Sequence, residues 1–235
     1  MKNIIRYPIC DLASFIMNSN KIENINYSYQ DTENVIKEWH RLIDPVERQM
    51  FEQTTPCYII QHYKALHWAL QTCSVMTWDQ ILKMHQILMK GQLGPHEAGL
   101  PRRVQVYIGE HIPPAPGEEL MAAIQKFIRW MEQNLILSKS KIRRLRVQTN
   151  LNRGLYIQVY EAHCRFESLH PFLDGNGRSG RIFWLSLLHY YGFEFNEIDI
   201  MDRWDYYRSL NQFHQWEKIK DVTWFPPRLY AGENS

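Results

Sequence analysis

The run His170-Pro171-Phe172-Leu173-Asp174-Gly175-Asn176-Gly177-Arg178-Ser179-Gly180-Arg181 lies between two stretches of helical period and dictates how they join. Gly175 and Gly177 reach positive φ without steric cost and Asn176 tolerates it, so Gly-Asn-Gly turns successive N–H groups toward one point. Such a nest binds anions. Ile182, Phe183, Trp184 and Leu185 read on as helix. The nest therefore falls at a helix N-terminus, where unpaired N–H groups and the dipole favour phosphate.

The flanking residues complete a phosphate-handling set. Arg178 and Arg181 are three apart and share a helix face, presenting two forked donors that grip phosphate oxygens bidentately. Asp174 supplies a hard oxygen of the kind a phosphate-bridging magnesium ion takes. His170 has the side chain best suited to accept a hydroxyl proton near neutrality. A calcium loop is excluded, because its third ligand position falls on Arg178, its glycine on Ser179 and its closing glutamate on Leu185. The chain contains neither a Walker-type phosphate loop nor a Gly-x-Gly-x-x-Gly after a strand-like run. A plain glycine turn with surface arginines is the competing reading.

The segment resembles the signature of the Fic family, His-Pro-Phe-x-Asp/Glu-Gly-Asn-Gly-Arg-x-x-Arg, at every fixed position. Ala162, His163, Phe166 and Leu169 look like the family's approach helix, and Met84-His85 with Gly99 to Arg102 like its earlier core. The likeness runs from about residue 19 to about residue 225. It implies an all-α fold, a helical bundle with a short β-hairpin flap, that transfers AMP from ATP with Mg2+ to a Ser, Thr or Tyr hydroxyl of a target protein. It further implies that His170 deprotonates the hydroxyl and that Asp174 holds the metal. By the same likeness Gly175, Asn176 and Gly177 cradle the inner phosphates, and Arg178 and Arg181 hold the outer ones.

Three further segments extend the resemblance. Ser19-Asn20-Lys21-Ile22-Glu23-Asn24 is similar to the family's inhibitory motif, Ser/Thr-x-x-x-Glu-Gly/Asn, so Ser19, Glu23 and Asn24 are expected to form a latch in which Glu23 pairs with Arg181. Asn20 and Glu23 also fit a helix capping box. Val104, Val106 and Ile108 alternate with polar residues ahead of Gly109-Glu110, which predicts a hairpin resembling the family's target-docking flap. An edge there accepts an extended substrate segment by strand addition, with Pro113 and Pro114 limiting pairing on one side; a purely structural hairpin is the alternative. Arg203 to Leu210 looks like the family's Arg-x-x-Tyr-Tyr-x-x-Leu, which makes Tyr206 and Tyr207 candidates for an adenine pocket or, alternatively, packing partners of Phe213 and Trp216. His214 stands where relatives often carry asparagine, and Pro101 where an aromatic residue is common.

Composition agrees with a globular helical enzyme: 235 residues, 45% hydrophobic and 13% aromatic, with net charge +2. That charge gives no support for nucleic-acid binding, and the basic run Lys139 to Arg146 reads as a solvated helix entry. The four cysteines have no Cys-x-x-Cys spacing, which suits reduced thiols and a cytoplasmic setting. Arg6, Pro8 and Asp11 interrupt the apolar start, and no run approaches the roughly 18 residues of a membrane span. We expect an N-terminal segment over 1–45 carrying the inhibitory helix at about 11–23, a Fic catalytic domain over 46–230 and a polar tail over 231–235. Oligomerisation, removal of AMP and another nucleotide donor stay open, as does a catalytically silent nucleotide-sensing module.

Overall fold

Start and stop chemistry fixes most of the helix ends. The structure, a computed structural model, describes residues 7–72, 74–136, 149–193 and 198–219. Its helices are α1 (Ile9–Ile22), α2 (Tyr29–Arg41), α3 (Pro45–Thr54), α4 (Cys57–Gln71), α5 (Trp78–Leu88), α6 (Glu118–Asn134), α7 (Thr149–Leu169), α8 (Asn176–Tyr191) and α9 (Arg203–Ile219). Thr77 and Gln80 form a reciprocal capping box on α5. Asp44 accepts the Val46 and Glu47 N–H groups ahead of Pro45 at the head of α3. Gly192 closes α8 in the left-handed conformation, φ 79°. Ser28 caps α2, its hydroxyl accepting the Asp31 N–H. The Lys139 to Arg146 run and the 231–235 tail lie outside the described residues.

The bundle is organised around α8, which is buried on nearly every face and packs against α1, α4, α5 and α7. A helix apolar all round belongs in the centre of a domain. Trp184 and Phe183 of α8 meet Tyr160 and Phe166 of α7 edge-on or tilted, each ring contributing about 1.5–3 kcal/mol by burial. α6 covers α7, α9 closes its other side, and α1 sends Leu12, Ala13, Phe15, Ile16 and Ile22 into the same core. The first turn of α8 breaks the apolar rule: Asn176, Arg178, Ser179 and Arg181 are all buried. Buried guanidiniums are tolerated only when paired, and their partners come from distant elements.

The segment expected as a hairpin is a turn at Gly109-Glu110 closed by a single antiparallel bridge, Ile108 to His111. Its two hydrogen bonds measure 3.0 and 2.9 Å, and among the described residues no strand continues from it. Side chains have taken the acceptors a ladder would use. Arg102 donates to the Val104 and Pro114 carbonyls at 3.0 and 2.5 Å, and Gln105 donates to Val106 and Pro113 at 2.9 and 3.1 Å. Pro113 and Pro114 have no N–H to offer in return.

Candidate active site

The His-to-Gly turn is strained and firmly held. His170 has φ 44°, rare for a residue with a side chain and worth roughly 1–3 kcal/mol of strain. Arg102 offsets that cost by donating from Nε to the His170 carbonyl at 2.9 Å and from its backbone N–H to the Pro171 carbonyl at 2.8 Å. Asn176 turns its side chain back into the loop, accepting the Phe172 N–H at 2.8 Å and donating to the Phe172 carbonyl at 2.9 Å. Its amide therefore braces the turn. His85 stacks on Phe172 at 3.6 Å. Its Nδ1 accepts the Gly99 N–H at 2.8 Å, so Nε2 carries the proton and donates to the Asp174 carbonyl at 2.9 Å.

The imidazole of His170 is poised as a base. Nδ1 faces the Glu167 carbonyl at 3.3 Å, which places the ring proton on Nδ1 and leaves Nε2 as an acceptor. Burial pulls its pKa down to about 4, against the opposing pull of the Glu167 carbonyl and the Glu23 charge. The ring is neutral at pH 7.

Gly175, φ 75°, is the N-cap of α8, whereas Gly177 lies inside the first helical turn with no positive φ. One left-handed residue thus suffices to aim the first N–H groups of α8 into the cavity. The need for glycine at 177 has another origin: a Cβ there would collide with Glu23 Oε1 and press on Arg181. The Glu23 carboxylate sits on the helix N-terminus where an anion would bind.

Glu23 also meets Arg181, with Oε1 2.7 Å from a terminal guanidinium nitrogen. Arg181 also donates to Ser19, from Nε to Oγ and from Nη2 to the backbone carbonyl, both at 2.9 Å. Burial works against the Arg181 charge, but Glu23, Tyr206 and Glu167 outweigh it and leave its pKa raised. Asn24 adopts φ 61° just beyond α1 and accepts from Arg203 at 3.3 Å. Glu23 is the C-cap of α1, which excludes the capping-box reading, since that motif belongs to a helix start. Arg178 donates to Gln92 at 2.6 Å and lies 3.7 Å from Asp174 Oδ2. Asp174 accepts the Gly175 N–H at 2.6 Å, and its side chain is 65% exposed.

A cavity of about 830 Å³ opens over these groups, lined by Glu23, His170, Gly177 and Arg181 on one side and by Tyr206 and Tyr207 of α9 on the other. Tyr206 is buried, its hydroxyl 3.0 Å from His163 Nε2; Tyr207 donates to the Ile22 carbonyl at 2.9 Å. Ile108 reaches the rim, but the exposed apolar side chains of the flap are Val104, Tyr107 and Ile112, with Val106 and Ile108 half-buried. His214 stacks on His111 of the flap at 3.9 Å.

Sequence reasoning brought His170, Asp174, Arg178, Arg181 and Glu23 to one place but missed Glu167, Gln92 and the clamp role of Arg102. No local period marks those three; only their neighbours in space do.

Residues 75–188 match the model of the Fic/DOC family. The chain is 36% identical over 135 residues to the protein adenylyltransferase Fic of Drosophila erecta, covering 57% of this chain and 24% of that protein. It is 34% identical over 145 residues to its namesake in Nematostella vectensis, covering 61% and 30%. The chain thus spans about a quarter to a third of the length of the curated relatives it matches. Among solved structures, a Fic domain containing signaling protein from Bacteroides thetaiotaomicron aligns with TM-score 0.62 at 20% identity, over 85% of this chain and 70% of that one. Fic-1 from C. elegans aligns with TM-score 0.61 at 21% identity, over 90% and 60%. These two likenesses establish the fold, and residues 75–188, which hold the signature segment, match the Fic/DOC family.

Proposed function

We propose that the protein is an adenylyltransferase that moves AMP from ATP to a Ser, Thr or Tyr hydroxyl of a target protein and is held in check by Glu23. The observation that carries this reading is the position of the Glu23 carboxylate, on the Gly177 face of the α8 N-terminus and paired with Arg181, beside the neutral His170. An acidic side chain fills the place that suits a phosphate. The relatives named protein adenylyltransferase Fic support the choice of donor.

In the working state Glu23 vacates Arg181, and the nucleotide phosphates take the α8 N–H groups, Arg178 and Arg181. His170 Nε2 removes the proton of the incoming hydroxyl, whose oxygen attacks the α-phosphorus; the bond to the β-phosphate oxygen breaks and pyrophosphate leaves. Catalysis rests on positioning and fixed charge, since the protein forms no covalent bond in the exchange. Tyr206 and Tyr207 line the base end, and the exposed flap side chains Val104, Tyr107 and Ile112 offer an apolar surface to the target segment.

Asp174 fits magnesium: a single, largely exposed carboxylate at the cavity mouth suits an ion that keeps several waters and shares phosphate oxygens. Among the described residues no cluster of three or more His, Cys, Asp or Glu forms a closed metal cage. When bound, the ion neutralises phosphate charge. Among the described residues no helix is long and apolar enough to cross a membrane, and the free Cys57 and Cys164 accord with a cytoplasmic setting.

His170→Ala tests the reading. With labelled ATP and Glu23→Gly protein, adding His170→Ala abolishes AMP transfer while calorimetry still records Mg·ATP binding, because the base acts on the hydroxyl. Retained transfer refutes the assignment.

A further inference from the structure

Glu167 takes no part in the transfer described above, yet it occupies the wall of the same cavity. It lies one turn before His170 on α7, is 5% exposed and lines the space shared by Glu23, Gly177 and Arg181. A Cβ at Gly180 would overlap Glu167 Oε1, so glycine at 180 is what lets the carboxyl sink this far. Among the described residues Oε1 has no hydrogen-bond partner, and the nearest basic atom, His163 Nδ1, is 3.9 Å away. A buried carboxylate in that position needs a proton or a cation. Arg181 is the cation at hand, but its Nε and Nη2 are engaged by Ser19 and Glu23.

We propose that Glu167 is a reserve counter-ion for Arg181: it holds a proton while Glu23 occupies the guanidinium, gives it up when Glu23 leaves, and takes one from solvent when donor phosphate arrives. This rests on the latch reading of Glu23 and makes Glu167 a positioning residue.

The electrostatics agree in direction. Burial raises Glu167 to about 8, with Arg181 opposing and Glu23 adding to the rise. The titratable groups facing it are Glu23 at the end of α1, His163 and Cys164 on α7, His170 just after it, Arg181 on α8, and Tyr206 and Tyr207 on α9. Burial holds His163 near 3 and His170 near 4, and pushes Cys164, Tyr206 and Tyr207 up. Those five are uncharged near neutrality, which leaves Glu23 and Arg181 to set the state of Glu167. Removing the Glu23 charge frees Arg181 and lowers the cost of ionising Glu167; a phosphate on Arg181 restores that cost.

Calorimetry of Mg·ATP binding to the full chain tests the idea, run at pH 7 in buffers of different ionisation enthalpy. Glu23→Gly takes up about 0.3–1 proton per nucleotide, and its Kd weakens about threefold to tenfold between pH 6.5 and 8. Glu23→Gly/Glu167→Gln shows neither. Equal uptake in both proteins, or none in Glu23→Gly, overturns the inference. Should Glu167→Gln fold poorly, the pH dependence of Kd in Glu23→Gly alone decides it: a flat profile refutes the linkage. If Glu23→Gly gives no more self-labelling than wild type, the latch itself fails and takes this inference with it; if labelling rises without Glu167-dependent uptake, only the inference falls.

Discussion

Replacing Glu23 with glycine separates what the latch does for stability from what it does to the donor site. The substitution removes the carboxylate 2.7 Å from Arg181 and leaves that guanidinium with its two bonds to Ser19. Breaking a fully buried ion pair costs about 3–5 kcal/mol because the survivor stays uncompensated. Here the Glu23 side chain is 34% exposed and Arg181 keeps Ser19, which brings the loss to about 1–2 kcal/mol. For a domain of this size that lowers Tm by roughly 2–8 °C. If the proposed function holds, Mg·ATP should reverse the loss, since a γ-phosphate on Arg181 would replace the missing charge; at 100 times its Kd a ligand adds about 2.7 kcal/mol. Thermal scans of both proteins, with and without Mg·ATP, give the measurement, and mass spectrometry of AMP-modified peptides gives the activity. We expect a lower Tm without nucleotide, a larger nucleotide-induced shift in the variant, and increased self-labelling. An unchanged Tm together with identical nucleotide shifts would refute the account, because the pair would then be an energetically idle surface contact.

Two other outcomes follow from the site's chemistry. Stability should peak near pH 6.5: below it, His85, His163 and His170, held neutral with pKa values of about 4, 3 and 4, bind protons more readily when unfolded, so stability falls as pH drops toward 4. Glu167, raised to about 8, has the opposite sign and loses its contribution as pH climbs through 8; between its unfolded value and pH 6.5 three histidines outweigh one carboxyl. Denaturant melts across pH 4–8 check this, and a flat profile would contradict it. Arg102→Ala should cost about 2–4 kcal/mol, since three carbonyls lose their donor at once. Hydrogen exchange over residues 104–114 should accelerate and transfer to a protein target should fall further than Mg·ATP affinity; unaltered exchange there would show that Arg102 does not hold the flap.

Residues adjacent in sequence were readable because their function is local. The turn from His170 to Arg181 follows from steric freedom and from the four unpaired groups at a helix start, neither of which needs a distant partner. The hairpin forecast over Val104 to Ile108 went too far for the same reason: alternation reports strand preference, but Arg102 and Gln105 had claimed the carbonyls.

By itself, then, the sequence determined the helical class, the glycine turn ahead of α8 and the grouping of a histidine with two arginines around it. The resemblance of Ser19 to Asn24 to an inhibitory motif already implied the pairing of Glu23 with Arg181, and only the tertiary structure supplied the other partners of the buried charges. Arg181 meets Ser19 and Glu23 across more than 150 residues of chain, Arg178 meets Gln92, and Glu167 reaches Arg181's neighbourhood through the gap at Gly180. Burial makes those choices, because a charge taken from water must be matched by whichever group the packing of α1, α7 and α8 brings beside it.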